Sequence, residues 1–466
     1  MSSSSFLLPA SYSLVAFHAI LGSRTRIHAS ANRRRGSWIK FILAFCAFGM
    51  LLPDTVVARD IYLAVRGDAR SGSGSPQDPF DASTAARYDA ILARFRAGTN
   101  FHYAAGIYET RGGRYIIRPT ANSNCHHYGA GVDRTIIRLI GASIPTQEGV
   151  IFYIDYNITV NGFEVHDLAL DCNAQGNPIF TNGLGAVGGI NVIGNNLLFT
   201  GLKIEHFGTG RRGVECFPFF SWGYSGGQFS NIVLQNSLFT NPAKGNKDGL
   251  STAVIGAPSD ATIEGAIINC QFIDLKSDFS YSHAFGAPLC QGNKVTNCEV
   301  GFYLEPDDRQ LGKWVIRDNR FTNVYVAALV NWHPTGTLNS IQMENNIVLL
   351  TGDPHRSSAA FEIQDSGLAP GEQRPSIAQV IFKGNQVDLA APSTPPVSTA
   401  LGICLVSAKS LFTIGNLVLE SNAINLPPSQ GLIITPGTVV KRWSASDNID
   451  SHKVQVHVLD AQGKPL

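Results

Sequence analysis

From about residue 160 onward the chain repeats one pattern of apolar and polar positions. A short run alternates apolar and polar residues, an asparagine interrupts it, and a second short alternating run follows. The instances are IVLQNSLFT, AIINCQFID, KVTNCEVGF, VIRDNRFTNV, IQMENNIVLL, VIFKGNQVDL, LVLESNAINL and a weaker WSASDNIDS. The asparagines are Asn236, Asn269, Asn297, Asn319, Asn346, Asn385, Asn422 and Asn448, at intervals of 33, 28, 22, 27, 39, 37 and 26 residues. Alternation with period two predicts strands with one face inward. A repeat of twenty to forty residues predicts a solenoid, with the shortest interval close to one coil. Asparagine tolerates the left-handed backbone that a sharp strand-to-strand corner requires. Stacked in file, such asparagines can also hydrogen-bond along the axis. The pattern therefore predicts an all-β chain wound as a right-handed parallel β-helix. Leucine-rich repeats would need a leucine ladder and a helical return, and neither is present. A two-sheet sandwich would need frequent N-G or D-G hairpin turns, which are scarce.

Helical spacing of apolar residues occurs once near the N-terminus, in STAARYDAILARF at 83–95, with Ser83 as the expected N-cap. A helix there would close the open end of the tube. FHYAAGIYETRG and RTIIRLIGAS read as the first coils. The expected organisation is a signal and preceding segment at 1–58, a cap and first coils at 59–130, the β-helix at 131–450 and a tail at 451–466.

The signal assignment rests on RRRGSWIK at 33–40, the apolar FILAFCAFGMLL at 41–52, and Val56 and Ala58 before a cut ahead of Arg59. The apolar run is too short to span a bilayer, so no transmembrane domain is expected in the mature chain. The expected location is secreted, periplasmic or cell-surface. An uncleaved anchor is the alternative. Only 15% of residues are charged and 46 are glycine, which suits short strands joined by many turns. The 36 basic and 35 acidic residues fall to 30 and 34 after position 58, a formal net charge of −4. That offers nucleic acid no basic surface. Seven cysteines follow the signal (Cys125, Cys172, Cys216, Cys270, Cys290, Cys298 and Cys404). They lack close C-x-x-C pairs. Packing as small apolar residues is the first reading and one disulfide the second.

GSPQDPFDAST, GIYETRG, GFEVHDLALDCN and GVECF resemble the uncharacterised secreted proteins of the pectate-lyase-like β-helix superfamily. The resemblance spans most of residues 60–450. It implies the coil architecture and, by analogy, polysaccharide as the partner of an expected monomer. Pectate-lyase strings of the W-I-D-H and R-x-P-x-x-R type are absent. No cofactor is expected, with calcium left open. Against the polygalacturonase pattern, NKDG at 246–249 matches with Asp248 and SHAFG places His283 in order. The intervening aspartate pair is missing, Asp274 and Asp278 being loose candidates, and no R-I-K follows. An N-x-D-G string is also an ordinary turn. His126 and His127 beside Cys125 have no second cluster at ligand spacing. His206 reads as a corner residue near Arg211 and Arg212.

Aligning DGLSTAV, GFYLEPDD, LVNWHP and FEIQD as neighbouring strands gives a candidate groove. With Phe302, Leu304, Phe361 and Ile363 inward, Tyr303, Glu305, Glu362 and Gln364 face outward. The catalytic candidates are Asp248, His283, Glu305 and Glu362. The substrate-binding candidates are Tyr303, Asp307, Asp308, Trp332 and His333, an exposed tryptophan offering a flat apolar face to a sugar ring. No residue set is proposed for metal. The expected function is carboxylate-based acid/base chemistry on a polysaccharide, of glycoside-hydrolase or lyase type. The alternative is a non-catalytic polysaccharide-binding or cell-surface β-helix.

Overall fold

The structure, a computed structural model, describes residues 59–449 and 459–460 apart from 69, 96, 113–115, 118–122, 142–147, 155–158, 248, 258–260, 276–281, 284–285, 306–311, 333–336, 352–357, 366–375, 391–399, 407–411, 427–430 and 435–437. The signal assignment at 1–58 lies outside the described residues. So do the side chains of His283, Trp332 and Cys404 within their strands.

Apart from the first two, Arg59–Ala64 and Phe80–Asp81, successive short strands do not pair with one another. Each pairs with its counterpart about one coil later, and the pairings are parallel. An antiparallel pair occurs where Ala186–Val187 meets Gly208–Thr209. Among the described residues the first sheet has 15 strands and begins with Phe80–Asp81, Arg59–Ala64 and Thr99–Tyr103. The second has 11 strands. The third face is a six-stranded sheet in the early coils and an eight-stranded sheet in the later ones. The chain is thus the expected right-handed parallel β-helix, the hand that parallel crossovers adopt.

The corner from the first sheet to the second is two residues long. Its first residue is left-handed: Asp167, Gly201, Asn236, Asn269, Gly292, Asp318, Asn345, Gly384, Ser421 and Asp447 all have φ between 51° and 67°. Its second residue points into the tube and is buried. Along the axis this slot holds Leu168, Leu202, Ser237, Cys270 and then Asn293, Asn319, Asn346, Asn385, Asn422 and Asn448.

Those six asparagines form one hydrogen-bonded file. Asn346 shows the pattern. Its Nδ2 donates to Ile316 O at 2.9 Å and to Asn385 Oδ1 at 2.9 Å. Its Oδ1 accepts from the backbone N–H of Asn319 at 3.1 Å and from Asn319 Nδ2 at 3.0 Å. Every side-chain donor and acceptor is used in a site without water access, where an unmade bond would be costly. The file starts at Asn293, whose Oδ1 accepts from Cys270 N at 2.8 Å. It ends at Asn448, whose Nδ2 donates to Leu419 O at 3.0 Å.

Five of the eight repeat asparagines occupy this slot, and three do not. Asn236 and Asn269 are the left-handed residues one position earlier, so Ser237 and Cys270 take the inward place. Asn297 belongs to a different corner, after the second sheet, with His206, Asn241, Asp274 and Asn323. There the side chains stack outside the tube. Asn323 donates to Asn297 Oδ1 at 2.7 Å, and Asn297 donates to Asp274. Asp274 is therefore a corner residue rather than a catalytic acid. His206 is also a corner residue, as expected, with Nδ1 against Asp171 Oδ1 at 2.8 Å.

The predicted helix exists as α1, Ala85–Arg94. Its cap is Thr84, whose side chain accepts from Arg87 N, and not Ser83. Ser83 instead donates its hydroxyl to Asp81 at 3.1 Å, which draws it away from the helix end. Ala85, Tyr88 and Leu92 form the buried stripe against the first coils. Behind them a polar chain runs into the core. Tyr88 OH lies 3.2 Å from Tyr103 OH, and Tyr103 OH lies 2.7 Å from His127 Nδ1. Burial pushes His127 down to about 3, so its ring is neutral. The described cysteines are buried in this core, with burial raising Cys270 and Cys290 to about 12.

The ladder predicts unequal costs for equal-looking asparagines. Asn346→Ala strips partners from Asn319 and Asn385 and should cost about 3 kcal/mol or more. Asn236→Ala forces an alanine into the left-handed region and removes one long, exposed hydrogen bond to Thr200 Oγ1 at 3.5 Å, at about 1–2 kcal/mol. Denaturant midpoints of the two variants decide this. Equal losses would rule out the inward file as the dominant stabiliser.

A candidate active site on the third face

The strands Val300–Leu304, Val326–Trp332, Ser358–Asp365 and Ala400–Val406 lie side by side on the third face. Phe302, Leu304, Val330, Phe361 and Ile363 are buried in the main core, which turns the residues between them outward. Register then aligns Tyr303, Leu329, Glu362 and Cys404 in one row across four coils. Asn331 and Gln364 are paired in the parallel row that begins beyond Leu304 with Glu305. Tyr303, Glu305, Glu362 and Gln364 thus occupy one outer face, as the alternation predicts. Leu250–Ser251 and Ser282–His283 continue the same sheet, so His283 pairs with Ser251 on one side and Val300 on the other.

This outer face is unusually dry. Ala327–Ala328 and Ala360–Phe361 are each two successive core residues, which breaks strict alternation. Val300, Val326 and Leu329 consequently form a separate apolar cluster with Tyr303 packed against it. They are only 5%, 7% and 6% exposed.

Tyr303 is held on both sides. Its hydroxyl donates to Glu305 Oε1 at 2.7 Å and accepts from Asn331 Nδ2 at 2.7 Å. Burial first, and then the negative charge of Glu305, push its pKa far above the usual phenol range. Tyr303 therefore remains a protonated donor that fixes Glu305. The charge of Glu215 adds a smaller push, so that carboxylate belongs to the same neighbourhood. Ser251 donates to Glu215 Oε1.

Glu362 is held differently. Burial raises its carboxyl to about 7, with no charge or hydrogen bond among the described residues to offset the cost. It is half-buried beside Leu329, one strand away. An acid poised between its two protonation states near neutral pH suits proton transfer.

A small cleft beside Tyr303 and Glu305 is also lined by Trp222, Gly256, Gly286 and Trp314. Trp222 lies parallel to Phe220, with ring centroids 6.1 Å apart and 7° between planes. Gly256 permits this, since a Cβ there would come within 2.4 Å of the Trp222 ring. Trp222, Asn331, Glu215 and Ser251 escaped the sequence reading as site residues. FFSW at 219–222 carried an aromatic signal, but only the register shows that it borders Tyr303.

Asp248, Asp307, Asp308 and His333 lie outside the described residues. Trp332 is placed by its backbone opposite Asp365. Among the described residues no group of three His, Cys, Asp or Glu side chains is arranged to hold a metal ion. Among them, too, no helix is long and apolar enough to cross a membrane.

No protein-family model and no curated protein sequence matches the chain. Similar solved structures include the AlgE6 A-module of mannuronan C-5 epimerase from Azotobacter vinelandii, 12% identical over 79% of this chain and 94% of that one, with a TM-score of 0.32. The AlgE4 A-module from the same organism is 12% identical over 84% and 100%, with a TM-score of 0.30. Endo-xylogalacturonan hydrolase from Aspergillus tubingensis is 12% identical over 86% and 95%, with a TM-score of 0.29. Likeness at this level carries no argument about chemistry, and it is by its own stacked parallel sheets that the chain is a parallel β-helix.

Proposed function

We propose that the third face is a groove for a polysaccharide chain, and that the protein is an exported polysaccharide-processing enzyme using Glu362 and Glu305 as its acid/base pair. The observation that carries the reading is the outward row itself. A half-buried carboxyl, uncompensated among the described residues, sits on the outside of the tube, where a solvated glutamate would cost nothing. Two strands away Tyr303 and Asn331 immobilise a second carboxylate, and Trp222 supplies a flat ring at the edge.

The arrangement supports hydrolysis. Glu362, protonated, gives its proton to the glycosidic oxygen as the C1–O bond breaks. A water attacks C1, and Glu305 takes the proton that this water sheds. Two strand spacings separate the acids along the axis, roughly 10 Å. Their side chains can shorten this toward the separation of an inverting pair, about 6.5–9.5 Å, which leaves room for the water.

The experiment is a polysaccharide panel scored for reducing ends and for absorbance of unsaturated uronides. Reducing ends should appear without unsaturated product, with a limb of the rate profile falling near pH 7. Glu362→Gln should lower kcat by about 100-fold or more, and Trp222→Ala should mainly raise KM. Unsaturated product would replace hydrolysis by elimination. Binding across the panel without turnover would leave the non-catalytic reading.

Stability gives an independent check on Glu362. Its folded pKa of about 7 stands above the 4.5 of an ordinary glutamate. The folded state therefore holds the proton more tightly between these values, and stability falls as pH rises through that window. Glu362→Gln should melt at a higher temperature than the parent at pH 8, by an advantage of up to about 3 kcal/mol. The two should converge at pH 4. No difference at pH 8 would mean that Glu362 is solvated.

Export forms part of the same reading. The N-terminus of the secreted protein should begin at Arg59, as Edman sequencing would show. An intact N-terminus retained in the membrane fraction would make the segment an anchor.

A further inference from the structure

The outer face of the first sheet carries a feature that the third-face groove does not use. In its first coils, register places Tyr62, His102, Tyr128 and His166 in one row. Asp60, Asn100, His126 and Glu164 form the row beside it. The rings stack in file. Their centroids are 4.6, 5.3 and 4.7 Å apart, with interplanar angles of 16°, 18° and 29°. Hydrogen bonds lock most of them edge-on. His102 Nε2 meets Asp60 Oδ1 at 2.9 Å, Tyr128 OH meets His126 Nδ1 at 3.2 Å, and His166 Nε2 meets Glu164 Oε2 at 2.7 Å. The side chains of both rows remain partly accessible to solvent. In the following coils the two rows continue as Leu198 and Thr200, then Val233 and Gln235, so the feature stops after four strands.

We propose that this strip is a second saccharide site, taking a neutral linear glycan laid along the helix axis. The ring faces are occupied by one another, so what the strip offers a ligand is edges. Each coil presents one hydroxyl or ring nitrogen beside a carboxylate, amide or imidazole. That is a repeating set of donors and acceptors suited to vicinal sugar hydroxyls. The ring repeat matches the advance of one pyranose residue in an extended β-linked chain. Asp60 and Glu164 stand at the two ends of the strip and repel a uronate polymer. Pre-locked side chains lose little freedom on binding. The strip lies on a different sheet from Glu362 and does not rest on the role proposed for that residue.

Titration of the full chain, labelled at histidine, with cellohexaose, xylohexaose, mannohexaose and hexagalacturonate tests this by NMR. At least one neutral hexaose should shift the His102 and His166 signals saturably, and hexagalacturonate should not. Tyr62→Phe and Tyr128→Phe keep the stacked rings and remove only hydroxyls. Each should weaken binding by about 5-fold with an unchanged melting temperature. Glu362→Gln should leave this binding intact, whatever it does to turnover. Silence toward all three neutral sugars, equal binding of hexagalacturonate, or parental affinity in both tyrosine variants would each overturn the proposal.

Discussion

The whole architecture depends on a two-residue corner that must satisfy buried backbone groups on every coil. A left-handed residue turns the chain, and the next side chain enters the tube beside the polar backbone of the adjacent coils. In the later coils asparagine fills that place because its amide has two donors for a carbonyl and a neighbour, and an acceptor for backbone and neighbour together. The file fixes the register between coils. Once register is fixed there, the rest of each turn follows from strand pairing.

That constraint builds the candidate site at a distance. The corner sets which coil strand lies beside which, and alternation then decides what faces outward. Tyr303, Leu329 and Glu362 meet because their strands are locked in register by a ladder on another edge of the tube. The other buried carboxylates among the described residues are compensated. Asp171 has Arg138 at 2.8 Å and His206 at 2.8 Å, and its pKa stays low despite burial. Glu362 has neither kind of partner among the described residues and goes the other way. The contrast separates a carboxylate that holds the fold from one whose environment favours proton transfer.

The coil architecture was legible because the asparagine phrase is a direct imprint of the corner. The slot within the corner was not, because the phrase looks alike in both positions. The distinguishing sign lies in the neighbours. An asparagine preceded by Asp, Asn, Gly or Ser, as at 319, 346, 385 and 422, follows a left-handed residue and points inward. One followed by Ser or Cys, as at 236 and 269, is itself the left-handed residue. Tyr303 and Glu362 could be read from alternation within single strands. Trp222 could not, since FPFFSWGYSGG breaks the alternation and only three-dimensional register brings it beside Tyr303; nor could Glu215, just before that segment, whose charge reaches Tyr303 only in the fold. The helix cap was missed by one residue because two adjacent hydroxyls competed, and Asp81 claimed Ser83.

The ladder also explains where variation is tolerated. Successive inward asparagines are 26, 27, 39, 37 and 26 residues apart, yet their hydrogen bonds stay between 2.9 and 3.1 Å. Extra length is therefore absorbed away from the ladder, at small entropic cost per added residue. The long intervals belong to the coils that carry Glu362 and Cys404. A fixed edge and intervals of variable length are complementary. The first holds an acid and its partners at fixed spacing, and the second can change what surrounds them without disturbing the register. In the first coils the interior is filled by aromatic rings such as Phe101, Phe152 and Phe163 around His127, and the outer strip repeats side-chain type instead of loop length. One fold thus supports two unlike outer surfaces, because its two halves are held in register by different interior chemistry.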